Sequence, residues 1–232
     1  MRWFRRGGDA RRTIALSGAA AGPLREYLAE PFPEPATPLA EARLLALDIE
    51  TTGLDPRSDR VLSVGFVPVD GRRVDLAGAH RVLVRDTGGV GRSATVHGLT
   101  DDDLADGAPL EEAVGAVLRA MRGRALLAHY ARIETGFLEA ACHRLWGAGM
   151  PCVVVDTFEL ERRVLARGRW GRDVEAGALR LWAARERYGL PVYRAHEALT
   201  DALACAELYL AQCAALEQDT PGTTPTLRHV VA

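Results

Sequence analysis

The sequence predicts an α/β protein built on a mixed sheet, an antiparallel meander followed by parallel strands, with helices on both faces. Three observations lead there. Residues 43–84 hold three apolar runs separated by short turn-like stretches, and connections that short pair strands antiparallel. Residues 110–156 alternate helical and strand periodicity, the pattern of parallel crossovers. From residue 157 to 214 the chain reads as one helix after another. With 232 residues, 48% hydrophobic and 26% charged, one sizeable domain with an appendage is expected.

Residues 1–41 are expected to form an accessory segment. Arg2, Arg5, Arg6, Arg11 and Arg12 make a basic arm, read as a solvated tail. Leu24, Tyr27 and Leu28 recur at helical spacing before Pro31, Pro33, Pro35 and Pro38 break the pattern and mark a linker. The main domain spans residues 42–217. Its first strand lies within Arg43–Asp55, where Leu45, Leu47 and Ile49 alternate with Leu44, Ala46, Asp48 and Glu50. A second runs from Val61 to Val69 and closes at Asp70-Gly71, a hairpin signal. A third covers Ala79–Val84.

The glycines at 88, 89 and 91 are read as a connection, because no Gly-Lys-Ser/Thr occurs. Helix starts are expected at Thr100, with Asp103 three residues on, and at Pro109 ahead of Glu111 and Glu112. Val114, Val117, Leu118 and Met121 form one apolar face. Strands at Ala125–His129 and Val153–Asp156 flank a helix carrying Ile133, Phe137, Leu138 and Leu145. Helices are then expected at Thr157–Arg167, Glu175–Tyr188 and Glu197–Ala214. Residues 218–232 are Thr/Pro-rich and expected to be a disordered tail.

The formal net charge of −2 provides no bulk attraction for nucleic acid, but leaves room for a local basic surface beside an acidic cleft. Apart from histidine every basic side chain is arginine, a composition bias to which no function is attached. Cys142, Cys152, Cys205 and Cys213 lack C-x-x-C spacing, so neither zinc nor a redox dithiol is indicated. They suit a reducing compartment, and a cytoplasmic protein is expected. No membrane span is expected either, and Ser17, Gly18 and Gly22 dilute the only run that resembles an export signal.

Candidate chemistry begins at Asp48 and Glu50. Two residues apart on a pleated strand, they face the same way with Cα atoms roughly 6–7 Å apart. Side by side they repel unless both are solvated or a cation lies between them, and oxygen-only ligation suits Mg²⁺ or Mn²⁺. A polar strand end is the alternative for such a pair alone. Glu134 lies one turn into the helix after Ala125–His129. Five helical residues turn through about 500°, so His196 fits the loop before the last long helix and Asp201 its first turn. Asp201 sits among Ala198, Leu199, Ala202 and Leu203, where a carboxylate needs a partner, and a metal shared with Asp48 would supply one.

Together these stretches resemble the DnaQ-like (DEDDh) 3′–5′ exonuclease family, which includes the proofreading ε subunit of bacterial DNA polymerase III. The family's first motif, a strand ending D-x-E-T-T-G-L, is matched by Asp48, Glu50, Thr51, Thr52, Gly53 and Leu54. Its second, H-N-A-x-F-D-x-x-F-L, is similar to the run from His129 through Tyr130, Ala131 and Glu134 to Phe137 and Leu138. Its third, H-x-A-x-x-D, is matched by His196, Ala198 and Asp201. Val96-His97-Gly98-Leu99-Thr100 and Asp156-Thr157 are similar to two weaker family elements. Two positions depart: Glu134 stands where the family has Asp, and Tyr130 where it has Asn. The resemblance covers residues 43–215 in the expected order.

The resemblance implies an RNase H-like fold and hydrolysis of phosphodiester bonds from a nucleic-acid 3′ end with two divalent cations, Mg²⁺ or Mn²⁺. Asp48, Glu50 and Asp201 would hold the first ion. Asp48, with Glu134 directly or through water, would hold the second, a partly degenerate site being the alternative. His196 would be the general base, since imidazoles as a class change charge near neutrality. Thr51, Thr52, Gly53 and Leu54 would frame the terminal nucleotide. His97 is assigned to the same nucleotide, with a turn or core histidine as the alternative. His129 is expected to prop the second-motif helix. Arg162, Arg163, Arg167, Arg169, Trp170 and Arg172 would track a single strand or form a solvated face. The implied partner is nucleic acid with a free 3′ end, and a polymerase or repair partner follows from the family alone. RNA as substrate, or a binding module that has lost catalysis, are the alternatives.

Overall fold

Strand β1 (Arg43–Thr51) alternates two apolar sets, so each of its faces must be covered. The computed structural model describes residues 3–86, 98–167, 177–219 and 222–232. In it β1 pairs antiparallel with β2 (Val61–Asp70), which pairs antiparallel with β3 (Arg73–Val74) and β4 (His80–Leu83). On its other side β1 pairs parallel with β5 (Ala125–Ala128), and β5 with β6 (Val154–Asp156). The sheet therefore runs β3-β2-β1-β5-β6 with β4 also on β2, the antiparallel meander followed by parallel strands. The hairpin turns at Gly71-Arg72, where Gly71 takes φ +61 and a Cβ would run into the Ala40 carbonyl oxygen.

Leu45, Leu47 and Ile49 join Val64, Phe66 and Leu126 in a core beneath α4 (Leu110–Ala120) and α5 (Arg132–Trp146). Leu44 and Ala46 face the opposite side with Val67, Val69, Leu127 and Val155. That side is covered by α6 (Thr157–Arg167) and α8 (Ala198–Asp219), whose Cys205, Tyr209 and Cys213 follow one another at single-turn intervals. Short helices α3 (Asp101–Ala105) and α7 (Leu181–Arg187) lie between these elements, α3 starting at the expected Thr100/Asp103 capping box.

Several expectations need correction. Residues 3–18 form helix α1, and α2 (Pro23–Ala29) buries Leu24, Tyr27 and Leu28 in the same core as Leu45. Tyr27 also donates a 2.9 Å hydrogen bond to the Pro151 carbonyl. The segment is part of the domain, because three apolar residues at helical spacing fill one end of its core. The tail was expected to be disordered from residue 218. Instead α8 continues to Asp219, Leu227 and Val230 are buried, and Val231 bridges Val155. Its polar composition hid two apolar side chains that fill the rim of the second core. The helix expected from Glu175 begins in the described residues only at Leu181, after a turn containing Gly177 at φ +98. Finally, the 22 residues of α8 are long and apolar enough to cross a membrane. Its Ala, Leu and Cys content does this, and the sheet-facing stripe marks it as a core helix.

Candidate active site

The even-numbered face of β1 places Asp48 and Glu50 just beyond Leu44 and Ala46, under the start of α8. Asp48 pairs with Gly65 of β2 and Glu50 with Ser63, and the register slips by one residue after Glu50. Gly65 decides how closely α8 approaches. A Cβ there would collide with the backbone of Ala198 and Leu199, so only glycine lets the first turn of α8 settle on the sheet beside Asp48. Asp201 stands one turn before Cys205 on the sheet-facing stripe. As a result, carboxylate oxygens of Asp48, Glu50 and Asp201 lie within 4.8 Å of one another.

Glu134 enters from the first turn of α5 and is buried. Its Oε2 has no hydrogen-bond partner among the described residues. Burial, opposed by a backbone hydrogen bond and helped by nearby Asp156, pushes Glu134 up to about 8. Burial, then Asp201 and Glu197, raises Glu50 to about 7, against the pull of Arg81. Asp48 is held well above the usual carboxylate range by burial and then by Glu134, Glu50 and Asp201. Asp201 is also raised by burial. Four carboxylates whose ionisation burial opposes, Asp48 and Glu50 being raised further by their acidic neighbours, form a site that a cation would relieve. Oxygen-only donors and one orphaned buried oxygen fit a hard divalent ion.

His196 is exposed, and its φ of +67 is a conformation that costs a non-glycine residue on the order of 1 kcal/mol or more. Its N–H donates to Asp201 Oδ2 at 2.8 Å. Glu197 accepts from the Thr200 N–H at 2.8 Å and hydroxyl at 2.5 Å, capping α8. The preceding loop is clamped by buried Arg185, which donates to the Ala204 and Pro191 carbonyls and to Glu207.

The turn after β5 is organised by Asp156. Its carboxylate accepts from the N–H groups of Tyr130, Ala131 and Phe158 at 2.9–3.0 Å. Tyr130 takes φ +69 there and packs edge-on to Phe158. His129 is half-buried with its ring nitrogens 2.9 Å from the Thr157 hydroxyl and the Leu179 carbonyl, so both are occupied, and it ties the turn to the start of α6 and the segment before α7 and not to the second-motif helix. Burial holds its pKa down.

Beyond β1, Thr51 Oγ1 donates to the Gly53 carbonyl at 2.6 Å, and Thr52 pairs with Arg60 through backbone and hydroxyl. A Cβ at Gly53 would come within 2.7 Å of the Asp59 carboxyl carbon, and this tight turn leaves Leu54 75% exposed. A groove of about 1140 Å³ opens beside Leu54 between α1 and α5, bordering the turn rather than the carboxylates. His97, Arg169, Trp170 and Arg172 lie outside the described residues. The structure thus gathers Asp48, Glu50, Asp201 and Glu134, with His196 at the rim. Gly65, Arg81 and Glu197 were missed, and Asp156 was noted only for the Asp156-Thr157 similarity, without its role at the turn.

A family model described as an exonuclease (RNase_T) matches residues 45–209. The chain is 30% identical over 165 residues to a DNA polymerase III subunit epsilon of Treponema pallidum, covering 71% of this chain and 73% of that one. It is 28% identical over 171 residues to a PolC-type DNA polymerase III of Thermotoga petrophila, covering 73% of this chain. It spans only 12% of that polymerase's length. In fold it is similar to the nuclease domain of 3′hExo, a DEDDh family member bound to rAMP. The TM-score is 0.61 at 16% identity, covering 78% of this chain and 94% of that one. It is also similar to E. coli exonuclease I in complex with a dT13 oligonucleotide, with TM-score 0.62 at 16% identity over 77% of this chain and 43% of that one.

Proposed function

The chain belongs to this exonuclease family as a DnaQ-like, DEDDh-type member, and on that premise we propose that it removes nucleotides from 3′ ends. The substrate is single-stranded or frayed nucleic acid, DNA in preference to RNA. The observation that carries the reading is the convergence of Asp48, Glu50 and Asp201 beside the orphaned carboxylate oxygen of Glu134. Asp48, Glu50 and Asp201 would hold one Mg²⁺ or Mn²⁺, and Asp48 with Glu134 a second. Such ions, when bound, activate water and offset charge on the attacking and leaving oxygens of a phosphodiester.

The chain's own groups do the rest. His196, exposed at the rim, accepts the proton of the attacking water. Thr51 to Leu54 seat the terminal nucleotide, with Leu54 against its base or sugar. Similarity to an epsilon subunit and to PolC-type polymerases supports DNA as substrate and a DNA polymerase as partner. RNA ends are the second reading, favoured by the rAMP-bound structural neighbour.

The test is digestion of 5′-labelled single-stranded DNA and RNA of matched sequence in Mn²⁺. A ladder shortening from the 3′ end, faster on DNA, is expected and should vanish with EDTA. Internal fragments, or an inert protein on both strands, would overturn the proposal.

A further inference from the structure

We propose that Arg81, acting through Glu197, is a positioning residue that keeps His196 in its left-handed backbone conformation and turns the Glu197 carboxylate away from the acid cluster. The inference rests on the exonuclease reading of that cluster.

Arg81 belongs to β4 and pairs with Gly65, which pairs in turn with Asp48. Residues paired across antiparallel strands face the same side, so Asp48 and Arg81 flank a position with no side chain. The space above Gly65 is filled by the backbone of Ala198 and Leu199. Arg81 therefore reaches the first turn of α8 from the opposite side to Asp48. Its Nε lies 3.0 Å from Glu197 Oε1 and 3.4 Å from Ser63 Oγ.

Glu197 is divided between two tasks. One carboxylate oxygen takes the arginine and, at 3.4 Å, the Leu199 N–H, and the other takes both donors of Thr200. Helix caps are usually short side chains whose reach fixes them. A glutamate in this place has a longer arm and needs an outside tether. Its carbonyl accepts the Asp201 N–H at 2.9 Å in the same helical turn, so an untethered Glu197 side chain is a competing ligand beside the cluster. His196 precedes it, and its own hydrogen-bonded backbone anchor is the N–H to Asp201. Strained residues persist where their surroundings over-determine them, and on this side the Arg81–Glu197 pair supplies that constraint.

The test compares the parent chain of 232 residues with Arg81→Ala, Arg81→Lys, Glu197→Gln and the Arg81→Ala/Glu197→Gln double variant. In metal-free hydrogen exchange, peptides spanning residues 194–201 should exchange about fivefold faster or more in Arg81→Ala and Glu197→Gln, with β1 peptides unchanged. Arg81→Lys should restore most of the protection. On a single-stranded oligonucleotide in Mn²⁺, Arg81→Ala should lower kcat by about tenfold or more while KM stays within about twofold, and the double variant should be no worse than either single. Unchanged exchange at 194–201, a raised KM with kcat preserved, or fully additive losses would each overturn the tether. A wild-type protein that degrades nothing would sink the exonuclease reading instead, and the exchange measurement would still decide the tether.

Discussion

Glu134 carries the same charge as the aspartate usual at its motif position, on an arm one methylene longer, and is buried with one carboxylate oxygen unpartnered. Such a group destabilises the metal-free fold when ionised and is retained where a cation compensates it. Glu134→Gln should therefore raise the melting temperature of metal-free protein near pH 8 while lowering turnover by orders of magnitude. Turnover within a few-fold of the parent would remove Glu134 from the site. The pH dependence has a definite sign. Glu50 is raised from 4.5 to about 7 and Glu134 from 4.5 to about 8, so the folded chain holds protons that the unfolded chain has released. Their contribution to stability is complete below 4.5 and is lost as pH rises through those values. Metal-free melting temperatures should fall across that window, and saturating Mn²⁺ should raise them more near pH 8 than near pH 5. Equal shifts at both ends would contradict the placement of the ion. Asp48, Glu50, His196 and Asp201 were legible because spacing and motif place them. Arg81 and Glu197 were not, since their pairing joins residues 116 positions apart and neither departs from an ordinary strand or helix-start residue.

The first turn of helix α8 meets the sheet at one glycine. Gly65→Ala places a methyl against the backbone of Ala198 and Leu199, which cannot rotate aside. It should cost about 1–3 kcal/mol of stability. Turnover should fall further than stability does, because Asp201 and His196 move with the helix. A chemical melt paired with single-turnover cleavage checks this, and full activity in a destabilised protein would argue against it. The strand alternation and the stripe on α8 could be read from local periodicity. The close approach could not, because a glycine inside an apolar strand gives no sign of what crosses it. The tail misled for a related reason: residues 218–232 are Thr/Pro-rich and polar on average, and only tertiary packing reveals that Leu227 and Val230 close a core.

The N-terminal helices and the C-terminal tail pack onto a sheet whose two faces are already covered. Leu39 N–H bonds the Pro225 carbonyl, and Leu227 N–H bonds that of Thr37, so the two terminal segments meet beside the sheet. Leu227→Ala should cost about 2–5 kcal/mol, read as one shifted transition reported alike by fluorescence and circular dichroism. Separate transitions would mean that the termini are an independent layer. At this scale the antiparallel-then-parallel order and the helix-covered faces were legible, while the role of both ends was not, because boundaries inferred from proline and polarity ignore what those segments pack against. The whole arrangement brings the carboxylates of β1, α5 and α8 to one end of the sheet. The most direct measurement is cleavage of a 5′-labelled single strand by Asp48→Ala in Mn²⁺, with oligonucleotide binding and melting temperature recorded alongside. A folded variant that still binds the strand but has lost the 3′ ladder by about a thousandfold or more is the predicted result. Cleavage within a few-fold of the parent would place the chemistry elsewhere.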